Sequence, residues 1–339
     1  MGLNRHINIP VFIPHMGCPH ACVFCNQKRI SGTLDIQTPE RVEKIIEESF
    51  LTINPEDDVE IAFFGGSFTG LPEDEMISYL EVARPYIEQG RAHGIRLSTR
   101  PDTINPHVLS ILQNYRVKVI ELGVQSLDPE VLLISQRGHN VESVLNACDL
   151  IRESGIELGI QTMLGLPGDS FEKSMNTARG VVELKPDMIR IYPAIVLKGT
   201  LMEYYYLNGK YTPLGVEEAV EWCAQILPLY KKAGITVLRI GLQGSDTLED
   251  SIVAGPYHPA FGELVESRVL LKKMFGELDK IEIPRNSKLI IRTIPSLVSK
   301  LVGQKRRNIE QLKERYFIKN IDVLADLDYG EFTLEIQNA

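Results

Sequence analysis

Cys18-Pro19-His20-Ala21-Cys22-Val23-Phe24-Cys25 sets three cysteines in a C-x3-C-x2-C spacing, directly after a short apolar run from Ile7 to Ile13. Three thiolates this close in sequence can each reach a separate corner of a cubane [4Fe–4S] cluster. The fourth iron is then left without a protein ligand and stays open to a further molecule. A structural zinc site asks instead for four ligands, commonly in paired C-x2-C knuckles. No second pair occurs in the chain. Three unrelated buried thiols are the remaining alternative, and what lies downstream favours the cluster.

At 339 residues the chain exceeds the usual single-domain size, so one large domain with an appendage is expected. Its apolar content is ample for a core. The other two cysteines, Cys148 and Cys223, fall in helical patterns and read as small buried hydrophobes. Nothing suggests a disulfide framework, which predicts a reducing, cytoplasmic setting. No apolar run reaches bilayer length and no signal pattern opens the chain, so a soluble protein with no membrane partner is expected. The net charge of -9 argues against a surface broadly coated in nucleic acid. It is unevenly spread, however. Residues 280–319 hold eleven Lys or Arg against three Glu, a local balance of +8.

Short apolar runs alternate with longer amphipathic ones through the first two-thirds. Strands are expected at Ile7–Ile13, Val59–Phe64, Ile95–Ser98, Val119–Leu122, Glu157–Met163 and Met188–Tyr192, with a further one at Thr236–Leu242. Helices are expected at Pro39–Leu51, with Thr38 as cap, at Pro72–Gln89, and near 106–113, 141–154, 170–184 and 216–233. Two short helices are expected before residue 277. Strand–helix repetition of this kind predicts an α/β fold with a parallel sheet and helical crossovers. Pattern alone does not separate a partial barrel from a doubly wound sheet or a closed eight-unit barrel.

Several strings fall at the ends of these strands: Gly65-Gly66-Ser67, Ser98-Thr99-Arg100-Pro101, Glu121-Leu122-Gly123-Val124-Gln125-Ser126, Gln136-Arg137-Gly138-His139, Gly165-Leu166-Pro167-Gly168 and Ile191-Tyr192-Pro193-Ala194. With the cysteine motif they resemble the radical S-adenosylmethionine (SAM) enzymes, and among these the Elongator catalytic subunit family, over residues 10 to 245. The oxygen-independent coproporphyrinogen oxidases share part of the pattern. The resemblance implies a partial (β/α)6 barrel, a [4Fe–4S] cluster on Cys18, Cys22 and Cys25, and SAM on the open iron. It implies further that Gly65, Gly66 and Ser67 meet the methionine ammonium through backbone groups. Gln125 would bond SAM near the ribose, and Arg137 would pair with its carboxylate. Leu164 and Gly165 would pack backbone against the adenine. Ser98 stands where the family usually has a ribose-binding glutamate. His15 and His20 read as residues capping the cluster. Lys198 reads equally as an anion contact at the barrel mouth or as a solvated loop lysine. Tyr204, Tyr205 and Tyr206 read as interdomain packing rather than a base-stacking platform.

Residues 246–279 read as a connector and 280–339 as a separate α+β unit: strand, helix, turn, helix, strand, strand. With its turn at Gly303-Gln304-Lys305-Arg306, this unit resembles a KH domain, which clamps single-stranded RNA over a GxxG loop. Arg306 replaces the final glycine, yet Lys305, Arg306 and Arg307 offer cations to phosphates. The expected function is therefore a radical SAM enzyme that modifies RNA, with tRNA favoured and flavodoxin or ferredoxin as electron donor. Elongator catalytic subunits also carry an acetyltransferase domain, for which this chain is too short, so their reaction is not carried over. The alternative is a radical enzyme acting on a small molecule such as a tetrapyrrole, with the C-terminal unit structural.

Overall fold

The computed structural model describes residues 5–13, 16–27 and 37–337. His15 lies outside the described residues. The chain forms two compact units: Met1–Gly215 with Leu229–Tyr257, and Val216–Pro228 with His258–Ala339.

The first unit is built on β1 (His6–Phe12), β2 (Asp58–Phe64), β3 (Gly94–Thr99), β4 (Val117–Gln125), β5 (Glu157–Leu164), β6 (Met188–Pro193), the two-residue β7 (Val196–Leu197), β8 (Thr236–Ile240) and β9 (Ile252–Ala254). One sheet runs in the order β1-β2-β3-β4-β5-β6-β8. Every pairing within it is parallel. Its two edge strands, β1 and β8, nevertheless contribute Asn8 and Arg239 to one cavity, so the sheet is curled into a half-barrel. The seventh strand of the sheet, β8, is the further one expected at Thr236–Leu242 beyond the six of the βα rhythm. Helices at Pro39–Phe50, Glu73–Glu88, Pro106–Asn114, Val141–Ser154 and Phe171–Leu184 make the crossovers. Their starts follow capping chemistry: Thr38, Asn105, Asn140 and Ser170 each accept a backbone N–H from the first turn. The inner strands are covered on both faces, which is why β2 buries Val59, Ile61, Ala62 and Phe63 in near-continuous succession.

The second unit carries a sheet in the order β11-β10-β12, with β10 (Lys288–Thr293) parallel to β11 (Asn320–Leu324) and antiparallel to β12 (Phe332–Gln337). Helices Val298–Val302 and Arg307–Tyr316 lie between β10 and β11. Leu271, Met274, Leu289, Ile291, Leu301, Ile309 and Leu312 form its core. Before β10, the expected pair of short helices is instead one brief helix, Asp246–Glu249, in the first unit, and the long helix Phe261–Leu278, in the second. The buried residues Phe261, Val265, Val269, Leu270, Leu271, Met274 and Leu278 keep that helix continuous. Among the described residues no helix is long and apolar enough to cross a membrane.

Candidate functional site

The cysteine loop is fixed by backbone bonds from several elements. Ser67 N–H donates to the Met16 carbonyl at 2.9 Å, Val23 N–H to Ser135 at 3.2 Å, and Met202 N–H to Val23 at 2.8 Å. Asn26 donates its side-chain amide to the Lys198 carbonyl at 3.0 Å. Gly66 is required by this interlock. A Cβ there would lie 2.4 Å from the Met16 oxygen and 2.6 Å from that of Ile13. The glycine-rich turn therefore grips the start of the cysteine loop, where the sequence suggested only close approach to a ligand. His20 rests on Gly138, whose missing Cβ makes room for its ring.

All three loop cysteines are free thiols. Burial pushes the Cys25 thiol up to about 12, with Cys22 and Cys18 adding to the shift and Arg137 opposing it. Cys18 is raised by burial and then by Cys22, against Arg100 and Arg137. The thiols thus lie within electrostatic reach of one another. Among the described residues no three His, Cys, Asp or Glu side chains gather around a single ion position. A cubane makes a different demand, one thiolate at each of three separate irons. Arg137 is buried here, its Nη1 donating to Cys22 Sγ at 3.0 Å and its Nη2 to the Gly123 carbonyl. Its guanidinium also stands 5.9 Å from the Phe24 ring centre.

One cavity of about 590 Å³ brings together Cys25, Gly65, Gly66, Ser98 and Gln125. Gln125 follows a register shift in β4 and has φ of 66°, a left-handed conformation that is costly for a non-glycine residue. Its Oε1 is buried and accepts no hydrogen bond from the described residues. Ser98 accepts from Gln161 Nε2 at 3.1 Å. Ser67, Leu164 and Gly165 do not line the cavity. The Ser67 hydroxyl lies 3.0 Å from that of Thr99 and accepts from Arg100 N–H at 3.3 Å. The Leu164 carbonyl accepts from Ala194 N–H. Gly165 donates to Asp169 Oδ2 at 2.8 Å and accepts from the Tyr211 hydroxyl at 2.6 Å. These backbone groups are committed within the protein. Lys198 bonds the Asp250 carbonyl at 2.6 Å, away from the cavity lining. Tyr204 and Tyr206 are exposed.

Sequence reasoning missed the charges inside the barrel. Arg96 bridges Glu60 (2.8 Å) and Glu121 (3.1 Å), and Glu121 also accepts two bonds from Arg190 at 2.6 and 3.0 Å. Burial raises the Glu121 pKa, but the bonds from Arg190 and Gln161 and the nearby Arg96 outweigh it and hold the carboxyl below its ordinary value. Arg190 and Arg239 both line the cavity. The signal was present as single charged residues inside apolar strands, such as Arg96 between Ile95 and Leu97.

In the second unit, Gly303 (φ 74°) leads into Lys305 and Arg306, both left-handed at φ 54° and 62°. A Cβ at Gly303 would meet Asn308 at 2.9 Å. Gln304, Lys305, Arg306 and Arg307 are exposed. Arg307 pairs with Glu217. Six other basic residues of 280–319 also close on carboxylates: Lys280, Lys288, Arg292, Lys300, Lys313 and Arg315. Arg285, Lys305, Arg306 and Lys319 have no acidic partner among the described residues. The linear +8 balance is therefore largely offset in three dimensions.

Residues 12–179 match the radical SAM superfamily, and residues 186–270 match the Radical_SAM C-terminal domain. The chain belongs to the radical SAM superfamily, a class of enzymes. It is 29% identical over 243 residues to the tRNA uridine(34) acetyltransferase of Dehalococcoides mccartyi, covering 60% of this chain and 52% of that protein. It is 28% identical over 214 residues to Elongator complex protein 3 of Homo sapiens, covering 57% and 38%. The chain thus matches about half or less of the length of these relatives. The structure of Methanocaldococcus infernus Elp3 superposes with a TM-score of 0.65 at 22% identity, over 86% of this chain and 71% of that one, which establishes the shared fold.

Superfamily members bind a [4Fe–4S] cluster and SAM. The residues present fit those groups: three mutually interacting thiols, a guanidinium on one of them, and an adjoining cavity with an unpartnered Gln125 acceptor.

Proposed function

We propose that the chain modifies RNA, with tRNA the favoured substrate, by radical SAM chemistry. One observation carries the reading: the cysteine loop and the carboxyl ends of the parallel strands open onto a single cavity. Cys18, Cys22 and Cys25 would hold the cluster. Gly65, Gly66, Ser98 and Gln125 would bind SAM, and Arg137 would orient its carboxylate beside Cys22. When bound, cluster and SAM supply a 5′-deoxyadenosyl radical that takes a hydrogen atom from the substrate, with an electron from a flavodoxin or ferredoxin. The chain's own task is to seat the substrate and exclude water. The RNA substrate is supported by the names of the relatives, which make uridine the first base to examine. Lys305 and Arg306 on the KH-like turn would contact phosphates.

The test is SAM cleavage by anaerobically reconstituted protein with and without total tRNA, followed by mass spectrometry of the nucleosides. Stimulation by tRNA together with a new nucleoside mass supports the reading, and cleavage indifferent to tRNA counts against it. The paired cations of the second unit favour a second reading, a small-molecule substrate with that unit structural.

A further inference from the structure

The charged lining of the cavity is one-sided. Among the described residues Arg190 and Arg239 line it and no Asp or Glu does, in a chain whose net charge is -9. The two arginines are not equivalent. Arg190 is tied by two bonds to the buried Glu121, so its charge is matched behind the wall. Arg239, its register partner on β8, is half-buried, and its bond is to a neutral group, Gln243 Oε1 at 3.0 Å. A partly desolvated guanidinium without a carboxylate is costly unless an anion meets it. Around it the cavity offers further polar groups, Gln161 and Gln243, and the aromatic walls Phe12, Phe64 and Tyr192. On β1, at the other edge of the sheet, Asn8 Oδ1 is buried and accepts no hydrogen bond from the described residues, so it calls for a donor on the ligand.

We infer that this part of the cavity is a mononucleotide subsite in which Arg239 holds the phosphate and Asn8 takes an N–H or hydroxyl donor from base or sugar. A nucleotide supplies all three complements at once: an oxyanion for the planar guanidinium fork, a ring for the aromatic walls, and a donor for Asn8. A small carboxylic acid supplies the first alone. The whole cavity, about 590 Å³, has the size of a small-molecule pocket, about 300–1,000 Å³, and is shared with the SAM residues Gly65, Gly66, Ser98 and Gln125. That is too small for a folded RNA, so the target nucleotide must enter extruded from its stack, as enzymes acting on bases require. The inference rests on the RNA reading and specifies how the substrate is held.

The test uses anaerobically reconstituted, SAM-loaded protein and calorimetric titration with the four nucleoside 5′-monophosphates, their nucleosides, and succinate. At least one monophosphate should bind tenfold or more tightly than its nucleoside. That preference should vanish in Arg239→Ala, while iron content and SAM affinity are unchanged. Asn8→Asp, which adds a negative charge to the cavity lining, should weaken the monophosphate more than the nucleoside and guards against a misfolded arginine variant. Equal affinity for monophosphates and nucleosides in the wild type would overturn the subsite, as would a phosphate preference that survives Arg239→Ala. Tighter, Arg239-dependent binding of succinate would overturn the nucleotide assignment and favour a small carboxylate. Failure of the RNA reading has a separate signature, SAM cleavage unaffected by tRNA.

Discussion

The barrel and the C-terminal unit both carry clustered arginines, yet they spend those charges differently. In the C-terminal unit, Lys288, Arg292, Lys300, Arg307 and Arg315 close on carboxylates at partly exposed positions. Pairs of that kind contribute little, about 0–1 kcal/mol each. In the barrel, Arg96 and Arg190 are locked onto buried Glu121, while Arg239 faces the cavity with a neutral partner. A run of basic residues in sequence is therefore a poor guide to where an anion binds. Partnering in three dimensions is the better one.

The largest break in this comparison should come at Glu121. Removing it strands Arg190 and leaves Arg96 to Glu60 alone, so Glu121→Ala should lose about 3–5 kcal/mol of stability in urea unfolding. Lys288→Ala, on a half-exposed pair, should stay within about 0.5 kcal/mol. Because the Glu121 pKa is lowered on folding, its contribution is full above the unfolded carboxylate range and is lost as pH falls through the folded value. The stability gap between wild type and Glu121→Gln should accordingly narrow on acidification. A gap that widens in acid would contradict the network.

Arg137→Ala tests the cation beside the cysteines. SAM affinity should fall by about 2–3 kcal/mol, the scale of a charge-assisted bond, with iron per chain unchanged. Undiminished SAM affinity would reduce Arg137 to a brace between Cys22 and Gly123.

The smallest effects belong to the C-terminal turn. Lys305→Ala with Arg306→Ala should weaken RNA binding evenly across sequences and lower the salt slope by about 0.7 for each phosphate no longer neutralised. Arg307→Ala should do less, because Glu217 already holds that side chain. Fluorescence titration against total tRNA at several salt concentrations measures both. An Arg307 effect equal to that of the pair would mean the ion pair opens on binding.

The strands, their capped crossover helices and the cysteine loop were legible because each rests on local signals: apolar runs, Thr38 or Asn140 at a cap, and ligand spacing. Gly65, Gly66, Ser98 and Gln125 were legible as strand-end residues and do share a cavity. The roles of Ser67, Leu164 and Gly165 were harder to read, since the hydroxyl and backbone bonds they make come from distant residues such as Thr99, Ala194 and Tyr211. Arg239 could not be singled out for the same reason. Its meaning lies in its place in the cavity lining with the neutral Gln243 as its partner, which only the folded chain reveals. Conversely, the basic run after residue 280 looked uncompensated because Glu217, Glu266 and Asp279 lie outside it in sequence.

The central claim is that Cys18, Cys22 and Cys25 together hold the cluster that drives SAM cleavage. Its most direct test is 5′-deoxyadenosine formation by reduced, anaerobically reconstituted protein, measured beside iron content. The wild type should bind about four irons per chain and form the product. Alanine at Cys18, Cys22 or Cys25 should abolish it, while Cys148→Ala and Cys223→Ala, which alter buried helical positions, should retain it. Full cleavage by the Cys22→Ala protein would contradict the account.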